Sequence, residues 1–342
     1  VKVHCAGLNP VDAKDVIGDK LPHSWTWARK QLVQSFIANK IPGIDFSGTI
    51  VDSSEQSSSS FQPGDKVFGC MPPFQGSLAE YIRVPTEQVC YIPRNYTFEQ
   101  AAARPLVGLT ALQALKGHVD SKSSVLIIGA SGGTGHVALQ VAAKCLGAAH
   151  VTAVCSACNA DFCRAHGATH VVDYGRAAVI SDLKAAPGCP YTVVLDCVTS
   201  ADPKDQAMQY PAIIQDPVNR LVSLQDKNDY VYRRLGGASL DWIRAGLERK
   251  TGLNCWKNKH EKLFWIRFPK SSHELRQLQE WAESGKLTVT VSNVFDFSVS
   301  GVRAAFDEIL SRRTVGKVVV RVLPEEDAVA EHKQAQELPK TM

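Results

Sequence analysis

The sequence predicts an α/β protein in which a mainly β lobe accompanies a doubly wound parallel sheet. Three observations carry this expectation. Short strand candidates broken by Pro and Gly crowd residues 1–100. From Val125 onward, β-branched and nearly all-apolar runs alternate with helical patterns, as in a parallel sheet covered on both faces. A glycine-rich turn joins the first of those runs to the first of those helices. The 342 residues suffice for two domains of ordinary size, and 44% hydrophobic with 21% charged residues suit a globular chain.

In chain order, the strand candidates of the first lobe are Val1 to Val3, Gly48 to Val51, Lys66 to Gly69, Ala79 to Val84 and Val89 to Ile92. Ile41-Pro42-Gly43 and Gln62-Pro63-Gly64-Asp65 read as turns, because Pro fixes φ and Gly admits positive φ. Ser24 to Ile37 has helical periodicity with Trp27, Val33 and Ile37 inward, and Ser53 to Ser60 is a polar loop. Val1-Lys2-Val3-His4 reads as the middle of a strand, so further residues are expected upstream, and a targeting segment among them stays open.

The run Val125-Leu126-Ile127-Ile128 ends at Gly129, and Ala130-Ser131-Gly132-Gly133-Thr134-Gly135 follows. His136 to Leu146 then reads as a helix, with Val137, Ala138, Val141, Ala142 and Cys145 on one side. A buried strand, a tight turn and a helix start in that order make a cradle for a dinucleotide phosphate. Gly129 permits the turn, Gly132 and Gly133 leave room for a pyrophosphate, and Gly135 lets the helix lie close to the sheet. Free N–H groups at the helix start face the anion. The apolar run Ala149 to Cys155 completes a βαβ unit of about thirty residues. His136 follows the last glycine, where a positive imidazole is disfavoured, so it is expected neutral and not a catalytic acid. Lys144, further along the helix, reads as solvated.

Later strand candidates are Val171-Val172, Thr192 to Cys197, Arg220 to Leu224 and Lys262 to Phe268. Gly236 to Lys259 reads as helix plus surface loop. His273 to Glu283 is an amphipathic helix, Leu287 to Phe297 a strand, Val302 to Leu310 a helix and Lys317 to Val322 a final strand. Pro324 to Met342 is polar without an apolar face and reads as a disordered tail.

A net charge of +4 without an Arg/Lys block needs no nucleic-acid partner. No apolar stretch approaches the roughly twenty residues that span a bilayer. Ten cysteines are too few for a disulfide scaffold in a chain this long. Cys155, Cys158 and Cys163 have no matching pair at zinc-site spacing, so free thiols in a reducing, cytoplasmic setting are expected.

A series of motifs spans nearly the whole chain, beginning with Ala6-Gly7-Leu8-Asn9-Pro10-Val11-Asp12, Ile41-Pro42-Gly43-Ile44-Asp45-Phe46-Ser47-Gly48 and Phe61-Gln62-Pro63-Gly64-Asp65-Lys66-Val67. They continue with Gly76-Ser77-Leu78-Ala79-Glu80-Tyr81, Pro105-Leu106-Val107-Gly108-Leu109-Thr110-Ala111, Leu195-Asp196-Cys197-Val198 and Gly316-Lys317-Val318-Val319-Val320-Arg321-Val322. In these motifs and their order the chain resembles the medium-chain dehydrogenase/reductase family, most of all its zinc-free quinone oxidoreductase and enone reductase branch. The resemblance implies a GroES-like catalytic domain from 1–102 and 269–323, a Rossmann domain over 103–268, and a tail over 324–342. The active site is expected in the cleft between them, and a homodimer through the sheet edge near Lys262 to Phe268.

Zinc-dependent relatives hold a catalytic ion with Cys, a His-Glu pair and a second Cys. The matching positions here look like Asn9, Ile44-Asp45 and Leu106, which do not make a thiolate–imidazole shell, so no metal is expected. The cofactor is expected to be NADPH. Cys155-Ser156-Ala157-Cys158-Asn159 carries no acid before Asp161, and Ser156 and Asn159 can donate to a 2′-phosphate. Relatives often place a Lys or Arg in this loop, and here none stands. The resemblance puts Tyr174 beside the adenosine phosphate, with packing on the sheet as the alternative, and Thr110 near the nicotinamide, with a bond to its own helix as the alternative. Lys317 reads either as positive charge near the nicotinamide or as a surface lysine.

Hydride transfer to a quinone or an α,β-unsaturated carbonyl needs close placement and donors for the developing oxygen charge. Asn9, Asp12 and Lys14 are the polar candidates of the Asn-Pro-Val-Asp-x-Lys turn, with a loop-shaping role as the alternative. Tyr81 is a further candidate donor and otherwise a core aromatic. Trp25, Trp27 and Phe36 read as a cleft wall, a core or a subunit contact. The leading expectation is an NADPH-dependent reductase of quinones or enones. Two others stand beside it: a cofactor-binding regulatory protein without catalysis, and a pathway reductase for a bulky intermediate.

Overall fold

The computed structural model describes residues 1–12, 40–53, 61–71, 75–198, 231–235, 261–264 and 271–323. Strands β1 (Lys2–Leu8), β2 (Asp45–Thr49), β3 (Lys66–Cys70) and β4 (Val89–Tyr91) form an antiparallel meander. Helix α1 (Phe98–Ala102) follows, started by a reciprocal capping box between Thr97 and Gln100. Helix α2 (Pro105–Leu115) carries the chain into the second sheet, with Pro at its first position where a missing N–H costs nothing.

That second sheet is wholly parallel. Its strands are β5 (Ser124–Ile128), β6 (His150–Cys155), β7 (His170–Asp173), β8 (Val193–Asp196), β9 (Val231–Leu235) and β10 (Glu261–Phe264), in the spatial order β10-β9-β8-β5-β6-β7. Helices α3 (Gly133–Gln140), α4 (Ala160–Ala165) and α5 (Val179–Ala185) connect the first strands. The strand order reverses between β5 and β8, which puts a crevice at the carboxyl ends of those two strands. Val125 and Ile127 pack into one core and Leu126 and Ile128 into another, so both faces of β5 are covered.

Helix α6 (Ser272–Glu283) begins the return to the first lobe, burying Leu275, Leu278 and Ala282. Strand β11 (Val291–Asp296), helix α7 (Val299–Ser311) and strand β12 (Lys317–Arg321) follow. Ser298 caps α7 by accepting the Gly301 N–H. The first sheet then has the order β11-β12-β1-β2-β3-β4, so β1 is flanked by strands from opposite ends of the sequence.

Several boundaries differ from the sequence expectation. The β2 strand begins at Asp45, earlier than Gly48, because its whole length pairs with β1 and β3. Ala79 to Val84 makes a single bridge, Tyr81 to Lys2, since it meets only the first residues of β1. The helix after the glycine turn is α-helical to Gln140 and then widens into one π-helical turn over Val141–Cys145. Residues 287–290 do not join β11, because they clasp α3 instead. The predicted helix at Ser24 to Ile37, most of the Ser53 to Ser60 loop, Arg220 to Leu224, Gly236 to Lys259 and the tail lie outside the described residues.

Candidate active site

The glycine turn hangs on β6, with the N–H groups of Gly129 and Ala130 both donating to the Val154 carbonyl at 3.0 Å. Gly129 has φ of +74°, which a side chain would strain. A Cβ at Gly135 would lie 2.2 Å from the Gly129 carbonyl oxygen, so only glycine lets the helix start pass the turn. At Gly132 the same added carbon would meet nothing nearer than 3.4 Å. That open side, with Ser131, Gly133 and Thr134 partly exposed around it, faces the helix start whose first N–H groups lack intrahelical acceptors. The cradle fits a pyrophosphate by shape and by dipole.

Beside it, the loop after β6 folds into one polar group. The Asn159 amide donates to Ser131 Oγ at 3.1 Å and to Ser156 Oγ at 3.0 Å. Cys158 Sγ, exposed, lies 3.2 Å from Ser156 Oγ. The Tyr174 N–H donates to the Cys155 carbonyl, and its side chain packs on the core that holds Leu126, Ile128 and Val154. Asp161 points elsewhere, onto Arg164 at 2.7 Å. Ser131, Ser156, Asn159 and Tyr174 therefore meet at the carboxyl ends of β5, β6 and β7.

On the other side of the turn, a buried polar cluster forms where β1, β2, β12 and α2 converge. The Lys317 ammonium donates to the Leu8 carbonyl at 2.7 Å, to Asn9 Oδ1 at 2.5 Å and to Asp45 Oδ2 at 3.2 Å. An ammonium has three donors, and three oxygens receive them. The Asn9 amide donates to Asp45 Oδ2 at 3.0 Å and to Asp12 Oδ2 at 3.3 Å, while its backbone N–H donates to Asp12 Oδ2 at 2.8 Å. Asp45 Oδ1 accepts the Leu106 N–H at 2.7 Å, near the start of α2. None of Asn9, Asp12, Asp45 and Lys317 is more than 3% exposed. Burial pushes the Asp45 carboxyl above its ordinary range, and the Lys317 ammonium, the Asn9 amide and the Leu106 N–H oppose that push.

A seam joins this cluster to the cradle. Gly316 N–H donates to the Ser131 carbonyl at 3.0 Å, and a Cβ added at Gly133 would lie 3.0 Å from Lys317 Cδ. His136 is fully buried: its Nδ1 lies 2.9 Å from the Gly132 carbonyl, and Nε2 accepts the Thr290 N–H at 3.1 Å. Burial holds its pKa down at about 4, so the ring is neutral. One helical turn on, Gln140 Oε1 accepts both the N–H and the hydroxyl of Thr288 at 2.9 Å, and its amide donates to the Thr288 carbonyl.

Two further sequence candidates, Thr110 and Tyr81, lie within the described residues. Thr110 donates to the Leu106 carbonyl of its own helix at 2.6 Å. Tyr81 is 58% exposed and lies beside Lys2, at the end of β1 opposite Asn9, roughly 20 Å along the strand. Lys14, Trp25, Trp27 and Phe36 lie outside the described residues. Asp45 entered the sequence reading as part of a motif and as a position matched to the His-Glu pair of zinc-dependent relatives, with no role of its own. The signal that could have raised its standing is a carboxylate inside a run of otherwise small and apolar strand residues. Arg104 was likewise missed: its guanidinium is fully buried between the rings of Phe68 at 4.7 Å and Tyr96 at 4.5 Å, with burial pulling its pKa down to about 10.

Comparison with known proteins agrees with this architecture. A family model described as an alcohol dehydrogenase GroES-like domain matches residues 1–94, and one described as a zinc-binding dehydrogenase matches residues 166–320. A trans-enoyl reductase of Aspergillus terreus is 30% identical over 334 residues, covering 94% of this chain and 85% of that protein. A mitochondrial NAD(P)H oxidoreductase of Homo sapiens is 31% identical over 338 residues, covering 94% and 81%. The structure of the quinone oxidoreductase from Coxiella burnetii superposes with a TM-score of 0.66 at 25% identity, covering 94% of this chain and 89% of that one. The Escherichia coli quinone oxidoreductase, solved with NADPH, shares the fold at a TM-score of 0.69 and 20% identity, covering 94% and 90%. With these matches along nearly its whole length, the chain belongs to the medium-chain dehydrogenase/reductase superfamily, as an oxidoreductase of its quinone oxidoreductase and enoyl reductase branch.

Proposed function

We propose that the chain reduces quinones or α,β-unsaturated carbonyls with NADPH, without a catalytic zinc ion. The observation that carries the reading is the ammonium of Lys317 seated among Asn9, Asp45 and the Leu8 carbonyl. Zinc favours thiolate and imidazole ligands. Here the corresponding positions hold the Asn9 amide, Ile44 without a ligand atom beside the Asp45 carboxylate whose two oxygens are already engaged, and Leu106, which has no ligand atom either. A divalent ion would also have to displace a cation hydrogen-bonded in its place. These residues do not suit zinc.

NADPH, in contrast, suits the cradle. When bound, its reduced nicotinamide supplies the hydride. The open side of Gly132 and the start of α3 would hold the pyrophosphate, with Gly129, Ala130, Gly133, Thr134 and Gly135 shaping the turn. Ser131, Ser156, Asn159 and Tyr174 would hold the adenosine ribose and its phosphate, in a loop that offers amide and hydroxyl groups and no carboxylate. Asn9 and Asp12 would fix the floor of the substrate end, and Lys14 would meet the developing negative charge.

The test is NADPH oxidation over a set of enones and quinones with product analysis, run with and without a zinc chelator. Turnover that ignores the chelator is expected. A chain that binds NADPH yet turns over neither class, or that retains one zinc per chain, overturns the reading. The similarity to a trans-enoyl reductase favours a second reading, in which the substrate is a bulky pathway intermediate. Turnover of extended enoyl thioesters well above simple enones distinguishes it. A homodimer through β10, at the end of the sheet order, and a cytoplasmic location complete the proposal, with mitochondrial relatives keeping an organellar site in view.

A further inference from the structure

Among the contacts between the two lobes, one side chain reaches both the glycine turn and the buried polar cluster. Lys317 leaves β12 directly after Gly316, whose φ of +83° and N–H bond to the Ser131 carbonyl bring the strand end against the glycine turn. Its stem runs under Gly133, where an added Cβ would lie 3.0 Å from Cδ and 3.3 Å from the Gly316 carbonyl oxygen. Its ammonium ends on Leu8, Asn9 and Asp45, inside the first lobe to which β12 itself belongs. Asn9 Oδ1 accepts from that ammonium, which forces the amide nitrogen to face Asp45 and Asp12. One residue thus touches the turn with its carbon chain and orients an amide with its charge.

We propose that Lys317 is a positioning residue that couples the two lobes, its stem bracing the glycine turn and its ammonium fixing the Asn9 amide at the substrate end. The coupling rests on the NADPH-reductase reading for its functional meaning, while the bracing of the turn stands on the apo geometry alone. The two parts of the side chain have separable effects. Methionine keeps most of the stem and removes the charge; alanine removes both.

The experiment compares Lys317→Met and Lys317→Ala in the full chain. Amide hydrogen exchange of Gly132 to Gly135 and of Gly316 is measured on the cofactor-free protein, and kcat and KM are measured with NADPH and an enone. Exchange at the turn is expected to quicken in Lys317→Ala and to stay at the parent rate in Lys317→Met. In Lys317→Met, kcat is expected to fall at least about tenfold while the KM for NADPH holds, because the Asn9 amide is free to turn. Lys317→Met is also made together with Asp45→Asn, so that no lone buried carboxylate unfolds the lobe. Equal exchange at the turn in the Met and Ala variants, or a parent-like kcat in a folded Met variant, overturns the proposal. A parent chain without reductase activity sinks the functional reading instead, and the exchange comparison still decides whether the stem braces the turn.

Discussion

The two polar groups that flank the glycine turn are built in opposite ways. The cluster of Asn9, Asp12, Asp45 and Lys317 is buried, and its ammonium spends every donor on protein oxygens. The loop of Ser131, Ser156, Cys158 and Asn159 is half-buried to exposed, and its bonds are single contacts among side chains at the rim. A buried, satisfied network acts by rigidity: breaking one member strands a charge in a low-dielectric interior. An exposed loop can trade its internal bonds for bonds to a ligand. The first group therefore sets where things are held, and the second has hydrogen bonds left to give to a bound molecule.

The sharpest way to break that contrast is to remove one charge from the buried group. Asp45→Leu leaves the Lys317 ammonium without its carboxylate, and an unpaired buried charge costs about 3–5 kcal/mol. Denaturant unfolding measures this, and a loss below about 1 kcal/mol would mean the cluster relaxes like a surface pair. The seam residue His136 gives the next largest effect, through pH. Its folded pKa of about 4 lies below the ordinary imidazole value of 6.5, so between those values the unfolded chain binds the extra proton and stability falls as pH falls. The expected slope approaches about 1.4 kcal/mol per pH unit across that window. His136→Gln should flatten the difference in unfolding free energy between pH 7 and pH 5.

Two glycine substitutions sharpen the comparison within the turn itself. Gly135→Ala drives a Cβ to 2.2 Å from backbone and should cost about 1–3 kcal/mol of stability. Gly132→Ala meets nothing nearer than 3.4 Å, so stability should move by less than about 0.5 kcal/mol. Its methyl group would nonetheless occupy the open side of the cradle, and NADPH affinity measured by fluorescence should drop about tenfold, or about 1.4 kcal/mol. The smallest effect belongs to the exposed loop. Asn159→Asp adds a carboxylate beside Ser156, and at an exposed site this should shift the NADPH-to-NADH affinity ratio about fivefold toward NADH, near 1 kcal/mol. An unchanged ratio would place the ribose phosphate away from this loop.

Local features were legible in the sequence, whereas Asn9, Asp12 and Lys317 were legible only as separate candidates and not as one buried cluster. The strand, turn and helix around Gly129 to Gly135 lie within a dozen residues, and glycine spacing reports backbone geometry directly. Val125, Val151 and Val193 start apolar runs that pair in register as parallel strands. Lys317 and Asn9, by contrast, are 308 positions apart. They meet because Leu8 pairs with Val318 across β1 and β12, one step from both. Nothing in Gly316-Lys317-Val318 says whether the lysine points into the lobe or into water, and a valine-rich strand buried on both faces has no polar alternation to read. Tyr81 is a related case: its motif was recognisable, but only the register with Lys2 reveals which end of β1 it faces.

The position of β12 beside β1 bears on how the chain is made. Synthesis delivers β1 to β4 before the parallel sheet, while β12, the partner that closes β1, emerges after it. Until residues 317–321 leave the ribosome, one edge of β1 stays open, and Asp45 lacks the Lys317 ammonium. Contacts this far apart in sequence form slowly, so the middle of the chain is expected to fold ahead of the lobe that brackets it. A nascent chain halted just short of Lys317 should therefore expose that lobe to proteases while its parallel sheet resists them.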